Sequence, residues 1–150
     1  MHWKTILVPH DFSSSANHAA ALARDEAKLH GGTIVLLHVV DLPRQLPQNA
    51  VIPTDSGAQL SVKDYATQSA QAHLEDLSAR LAKDGVTATT AVRLGNAVDE
   101  INRYVDENSV SLIVMGTHGH TGIRAMLAGS VTEKVVRSAK VPVLTVRHPE

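Results

Sequence analysis

Residues 5–40, TILVPHDFSSSANHAAALARDEAKLHGGTIVLLHVV, contain two short apolar runs separated by a longer alanine-rich segment. The runs from Thr5 to Val8 and from Thr33 to Val40 are rich in β-branched residues and continuous enough to predict strands covered on both faces. Between them, alanines from Ala16 to Ala27 recur at steps of three and four residues, which is a helical period, and Gly31-Gly32 marks the end of that helix. The stretch therefore predicts a β-α-β unit.

The rest of the chain repeats this alternation of strand and helix patterns. Three more apolar runs of the strand type are Thr87 to Val92, Leu112 to Met115 and Val141 to Val146. Three more helical patterns begin near Ser61, at Asn96 and at Ser130, the last two of these residues being suitable N-caps. Strict alternation of five strands and four helices predicts an α/β three-layer sandwich, in which helices cover both faces of an open parallel sheet.

Composition places the chain among ordinary globular domains. Its 150 residues include 14 Lys+Arg against 15 Asp+Glu, are 43% hydrophobic and contain no cysteine, so we expect a single domain over residues 1–150. A net charge of -1 and an aromatic content of 3% provide neither the basic surface nor the stacking platform of a nucleic-acid binder. The first apolar run ends at His10 and Asp11 and no run is long enough to cross a membrane, so we expect no signal peptide and a cytoplasmic protein without a membrane partner.

The segment Asp41 to Leu60 interrupts the alternation. It holds three prolines and has no sustained apolar period, which predicts a loop. A loop of about twenty residues is long for a compact domain, which favours a lid, a partner contact or disorder.

Two strand ends carry the residues best suited to binding. In an open α/β sheet, ligands bind beyond the carboxyl ends of the strands, where the strand order reverses. The first strand is followed by Pro9-His10-Asp11-Phe12-Ser13, with a carboxylate just before a helix. The fourth is followed by the glycine-containing segment Gly116 to Gly122, and Gly129-Ser130 stands where the fourth helix begins. Glycines permit close backbone approach and a helix N-terminus attracts negative charge, so this segment predicts an anion site.

The charge pattern agrees with a phosphate ligand. Residues 108–132 contain no Asp or Glu, so a phosphate group there would meet no repelling carboxylate, and Arg124 adds one cation. The alternative is that the glycines form a wide turn and that Ser130 with Glu133 is only a capping box. The two interpretations are compatible, because both use the same helix end.

Other kinds of site are less well supported by the sequence. His118-x-His120, with His10 and Asp11, is an alternative set of metal ligands, but we predict no metal-binding side chains. The sequence has no Gly-Lys-Ser/Thr segment, which excludes a standard P-loop NTPase. Ser130 lacks the G-x-S-x-G surroundings of a serine hydrolase.

The glycine spacing resembles a known nucleotide motif. Gly116, two residues, Gly119, nine residues and Gly129-Ser130 are similar to the G-x2-G-x9-G-[S/T] motif of the universal stress protein family. The resemblance covers the whole chain, including Ile6 to Ser13, Leu37 to Val40 and Gly129 to Val136. It implies a Rossmann-like sheet of the adenine nucleotide alpha hydrolase type, with the strand order 3-2-1-4-5. In that order the Asp11 turn and the Gly116 loop follow neighbouring strands.

The resemblance also implies a ligand and the residues that hold it. The ligand is ATP, or ADP or AMP, with Mg2+ bridging the phosphates. Around adenine and ribose the resemblance places Pro9, His10, Asp11 and Val39. Around the phosphates it places Gly116, Thr117, His118, Gly119, Gly129, Ser130, Val131 and Thr132.

The function implied is that of an ATP-binding universal stress protein, a nucleotide-dependent stress-response regulator with an unidentified protein partner. A slow ATPase or phosphotransferase that uses the same pocket is one alternative, and an interaction module without a ligand is another. The glycine motif argues against the module, because such a module has no need of that loop. We expect any hydrolysis to be slow, because no Walker lysine is present.

The strand Val141 to Val146 lies at a sheet edge in the family order, which predicts a homodimer through this strand.

Overall fold

A computed structural model describes residues 2–47, 49–117 and 130–147 of the chain. Its strands are β1 (Thr5–Pro9), β2 (Thr33–Val40), β3 (Val51–Pro53), β4 (Gln59–Ser61), β5 (Ala88–Leu94), β6 (Leu112–Gly116) and β7 (Val143–Val146). Five of these strands form one sheet, in which all neighbours are parallel and the order is β5-β2-β1-β6-β7. When the five strands of this sheet are numbered along the chain, this is the predicted order 3-2-1-4-5.

The described helices are α1 (Ser14–His30), α2 (Val62–Lys83), α3 (Ala97–Glu107) and α4 (Val131–Ser138). Each begins after a side chain that accepts a backbone N–H three residues on, which satisfies one of the free donors of the first turn. These N-caps are Ser13, Ser61, Asn96 and Ser130. None of these helices combines the length and apolar character that crossing a lipid bilayer requires.

The central sheet is buried on both faces, as the continuous apolar strands predict. Ile6 and Leu7 are neighbours on β1 and both are 0% exposed, yet they belong to separate apolar clusters on opposite faces. One cluster contains the alanine face of α1 together with Leu74 of α2. The other contains Ile101 of α3 and Val135 of α4. The three-layer α/β sandwich is therefore confirmed.

The segment predicted as an irregular loop contains a short hairpin. β3 and β4 pair antiparallel, with Val51 opposite Ser61 and Pro53 opposite Gln59. The turn between them is closed by the Thr54 hydroxyl, which donates to the Ala58 carbonyl at 2.7 Å. The prediction of a loop was wrong for these two strands, because three residues are too few for a pattern of alternation to be recognised. The proposals of a lid, a partner contact or disorder stay predictions.

Candidate functional site

A pocket opens at the carboxyl edge of the sheet, where the chain leaves β1 and β6 in opposite directions. Its cavity volume is about 150 Å³, and its described walls come from the ends of β1, β2 and β6 and the beginnings of α1, α3 and α4. The predicted site residues that line it are Pro9, His10, Asp11, Val39, Gly116, Val131 and Thr132. The two predicted halves of the site therefore meet in one cavity.

The other predicted residues lie next to this pocket or outside the described chain. Thr117 follows the pocket residue Gly116, and Ser130 precedes the pocket residue Val131. His118, Gly119 and Gly129 lie outside the described residues.

Sequence reasoning missed about half of the described lining. The missed residues are Ser13, Ala16, Leu37, His38, Ala97, Ile101 and Met115. Ala97 and Ile101 are four residues apart on α3 and so lie on one face of the helix. That spacing was available in the sequence, but which face of α3 meets the cavity depends on how the helix packs across the sheet.

The His10 side chain organises the turn between β1 and α1. It is 3% exposed, and its Nδ1 accepts the backbone N–H of Phe12 at 2.9 Å. Nε2 lies 3.0 Å from Asn17 Oδ1, and because Nδ1 is the acceptor, Nε2 carries the proton and donates. Burial lowers the pKa of His10 below 6.5, and this effect exceeds the opposing effects of the hydrogen bond that His10 donates to Asn17 and of the charge of Asp11. His10 is therefore a buried neutral imidazole at pH 7.

These contacts bear on the alternative of a metal site. The lone pair of His10 Nδ1 accepts the Phe12 N–H and Nε2 carries the proton donated to Asn17, so this tautomer offers no lone pair to a metal ion. Across the described ranges, no group of three or more histidine and carboxylate side chains is arranged to hold an ion.

The turn that His10 supports has a strained backbone. Phe12 has φ 66°, and in the described chain no other residue besides glycine has a positive φ. This conformation costs an L-residue about 1–2 kcal/mol. It is supported by Asp11 Oδ1, which accepts the Ser13 N–H at 3.0 Å, and by the Phe12 ring, whose centroid lies 4.6 Å from that of His38 and 5.1 Å from that of His73. Such strain is typical of binding sites, where surrounding contacts maintain it.

The opposite wall of the pocket joins the end of β6 to the start of α4. The Thr132 hydroxyl donates to the Gly116 carbonyl at 2.7 Å. Ser130 Oγ accepts the Glu133 N–H at 3.1 Å, as the capping interpretation predicts. The Thr117 hydroxyl is buried and finds no hydrogen-bond partner within the described ranges.

Gly116 has a packing role that the sequence did not reveal. A Cβ built on this residue would lie 2.1 Å from Ser15 Oγ and 2.8 Å from the Ser15 carbonyl group. The first turn of α1 therefore approaches the end of β6 too closely for any side chain. Gly116 is required by helix packing as well as by the predicted approach of a ligand.

We expect Gly116→Ala to destabilise the protein by about 1–3 kcal/mol, the usual effect of overpacking, because the Ser15 backbone must move. The free energy of unfolding by urea, measured with and without Ser15→Ala, tests this. Removing the Ser15 hydroxyl should restore part of the loss, since it eliminates the shortest clash. Equal stability of Gly116→Ala and wild type would contradict the packing role.

Comparison with known proteins relates this fold and pocket to one family. A family model described as the universal stress protein family matches residues 2–147. Universal stress protein MJ0577 of Methanocaldococcus jannaschii is 29% identical, over 97% of this chain and 96% of that protein. The solved structure of MJ0577 has a TM-score of 0.79 at 28% identity and covers 100% of this chain and 99% of its own.

Two other solved structures of the same fold are nucleotide complexes. A universal stress protein in complex with cAMP has a TM-score of 0.69 at 24% identity, with 97% of this chain and 98% of that chain covered. The universal stress protein of Archaeoglobus fulgidus in complex with dAMP has a TM-score of 0.66 at 22% identity, with the same coverage. At these identities the two structures establish a shared fold.

Proposed function

The chain belongs to the universal stress protein family, and from this premise we propose that the pocket at its sheet edge binds an adenine nucleotide. The observation that carries the proposal is the convergence of the Asp11 turn and the Gly116 strand end on one cavity at the reversal of strand order. Two proteins of the same fold form complexes with cAMP and dAMP, which supports the choice of adenine nucleotides.

The walls of the pocket differ in character, which suggests how the nucleotide lies. Leu37, Ile101 and Met115 supply apolar surface suited to a flat base. Asp11 is the one carboxylate in the described lining. Its Oδ1 is held by the Ser13 N–H, and we assign its remaining acceptor capacity to ribose hydroxyls. We therefore place adenine and ribose beside Pro9, His10, Asp11 and Val39.

The phosphates lie at the other wall in this proposal. There α4 begins beside the end of β6, so its free N–H groups and positive dipole end favour an anion. We propose ATP as the ligand, with Mg2+ bridging its phosphates, and a regulatory role in which the bound nucleotide changes contacts with a protein partner during stress.

Filling the pocket should abolish nucleotide binding. Ala97 lines the cavity, so we expect Ala97→Phe to weaken ATP binding at least about tenfold by occupying the space of the ligand. Ala82→Phe is the matched control, because Ala82 is exposed on α2 and away from the pocket lining. Isothermal titration calorimetry with ATP and Mg2+ measures both variants.

A second variant tests the glycine motif. Gly119→Leu should also remove binding while preserving the fold, which circular dichroism checks. Mass spectrometry of the gently denatured wild type should detect adenine nucleotide carried through purification. The proposal fails if the wild type binds no adenine nucleotide at millimolar concentration, or if Ala97→Phe binds as tightly as Ala82→Phe.

We also propose a homodimer through the C-terminal strand. β7 is an edge of the five-stranded sheet, and Leu144 on it is 37% exposed. The carbonyls of Pro142 and Val146 accept bonds from the β6 side, from Ile113 and Thr117. Because a strand alternates the direction of its peptide groups, the N–H of Thr145 points outward and is available to a second copy.

Thr145→Pro should therefore dissociate the dimer, because proline removes the outward N–H yet is tolerated on an edge strand. Thr145→Val, which keeps the N–H, should remain dimeric. Light scattering should give twice the 16.0 kDa of the chain for wild type and Thr145→Val. A wild-type mass near 16.0 kDa at every concentration would refute the dimer.

We expect the bound nucleotide to persist. Fast phosphoryl transfer needs cations fixed at the phosphates and a group that positions water. The ionisable residues of the described lining are His10, Asp11 and His38, and none of these is a lysine or arginine. We expect turnover at least about a hundredfold below one per second, the lower end for typical enzymes.

A steady-state phosphate-release assay on protein free of contaminating ATPases measures this rate. Turnover near one per second that is lost in Asp11→Ala or His118→Ala would assign the protein to the enzymes instead.

A further inference from the structure

The His10 imidazole links three elements around the proposed adenosine end of the pocket. Its Nδ1 accepts the N–H of Phe12 in the turn, and its Nε2 donates to Asn17 on α1. Its backbone carbonyl accepts from Nδ1 of His38 on β2 at 2.7 Å. The position of Asp11, the residue between His10 and Phe12, is therefore set by this ring.

We infer that His10 is a positioning residue for the nucleotide pocket and that protonation of its ring on acidification weakens nucleotide binding. The inference rests on the proposed function, because it concerns the same pocket. It adds a dependence on pH that the fold and the glycine motif do not imply.

The inference follows from the geometry of one hydrogen bond. Nδ1 accepts the Phe12 N–H only while it keeps its lone pair, so a proton on Nδ1 would set two donors against each other at 2.9 Å. Losing that bond removes a main support of the strained Phe12 backbone. Asp11 and Ser13, which line the pocket on either side of Phe12, would then no longer be held in position for the ligand.

The surroundings of His10 determine the direction of the effect. Burial is the largest influence and disfavours the charged ring, and the charge of His38 on β2 acts in the same direction. Asp11 in its own turn and the Asn17 amide on α1 oppose this, while His73 of α2 contacts Phe12. The net result is a pKa below the ordinary value of 6.5.

The linkage between protonation and folding has a definite sign. The unfolded chain binds the proton of His10 more readily than the folded one, so stability rises with pH between the two pKa values. The contribution of His10 is fully present above pH 6.5 and is lost as the pH falls below that value. Acidification below pH 6.5 therefore destabilises the turn in the conformation that the structure shows.

His10→Asn separates positioning from protonation. An asparagine side-chain oxygen accepts the N–H of the residue two positions on, as in an Asx-turn, so it can replace Nδ1 of His10. Asparagine does not titrate, so the variant should keep the turn and lose the pH dependence. His73→Asn is the matched control, because it removes another histidine that contacts Phe12 but does not accept its N–H.

Calorimetry with ATP and Mg2+ at about pH 7.5 and at a pH below the titration midpoint of the His10 ring measures the effect in the three proteins. His10 also lines the pocket, so each protein's affinity at the higher pH serves as its own reference. On going to the lower pH, wild type should lose about five- to tenfold more affinity than His10→Asn, which is the effect of one lost backbone hydrogen bond. His73→Asn should follow wild type. Protonation of the ATP phosphates changes the affinity of all three proteins by the same factor, so it cancels in the ratio of one protein's affinity to another's.

Amide NMR of the ligand-free wild type gives a readout independent of nucleotide and of any variant. The Phe12 amide shift and the His10 ring should titrate together, with a midpoint below pH 6.5. An amide shift that does not follow the ring, or a wild-type to His10→Asn affinity ratio that is constant with pH, overturns the inference. If no nucleotide binds at any pH, the proposed function fails while the Phe12 titration still tests the positioning role.

Discussion

The divergence of the chain from β1 and β6 is the constraint on which the rest of the structure depends. The connection from β1 runs through α1 to β2, and the connection from β6 runs in the opposite direction to β7. Neither connection therefore covers the carboxyl ends of β1 and β6. The inner strands β2, β1 and β6 have hydrogen-bonded neighbours on both sides, and the helix layers close the two faces of the sheet. The opening left at the edge becomes a pocket whose walls are strand ends and first turns of helices, where backbone groups and polar side chains are available.

Local patterns were sufficient to predict most of the fold. Buried parallel strands are continuous apolar runs, and the N-caps Asn96 and Ser130 are recognisable from residue type alone. The boundaries were less predictable: the run from Val141 forms a strand only from Val143, after a proline. The hairpin was missed because its strands are too short to show a period.

Some parts of the candidate site were likewise predictable from local patterns, and others were not. The turn at Asp11 and the segment that begins at Gly116 follow strand patterns directly, so the sequence placed them at one edge of the sheet. Ile101 lines the cavity only because α3 packs against the sheet there. That packing depends on contacts between residues far apart in the sequence. The buried neutral state of His10 depends on Asn17 and on closure of the layers around the turn, so no local pattern contains it.

The contact between Gly116 and Ser15 has a consequence for how the sequence can vary. Gly116 meets two separate demands. Because it has no side chain, α1 can pack closely against the end of β6, and the pocket wall stays open. A compensating change at Ser15 relieves part of the first demand, because the Ser15 backbone also lies too close, and it has no effect on the second. Packing therefore opposes a substitution at position 116 even in a descendant that has lost its ligand, so a retained glycine there is poor evidence by itself that binding persists.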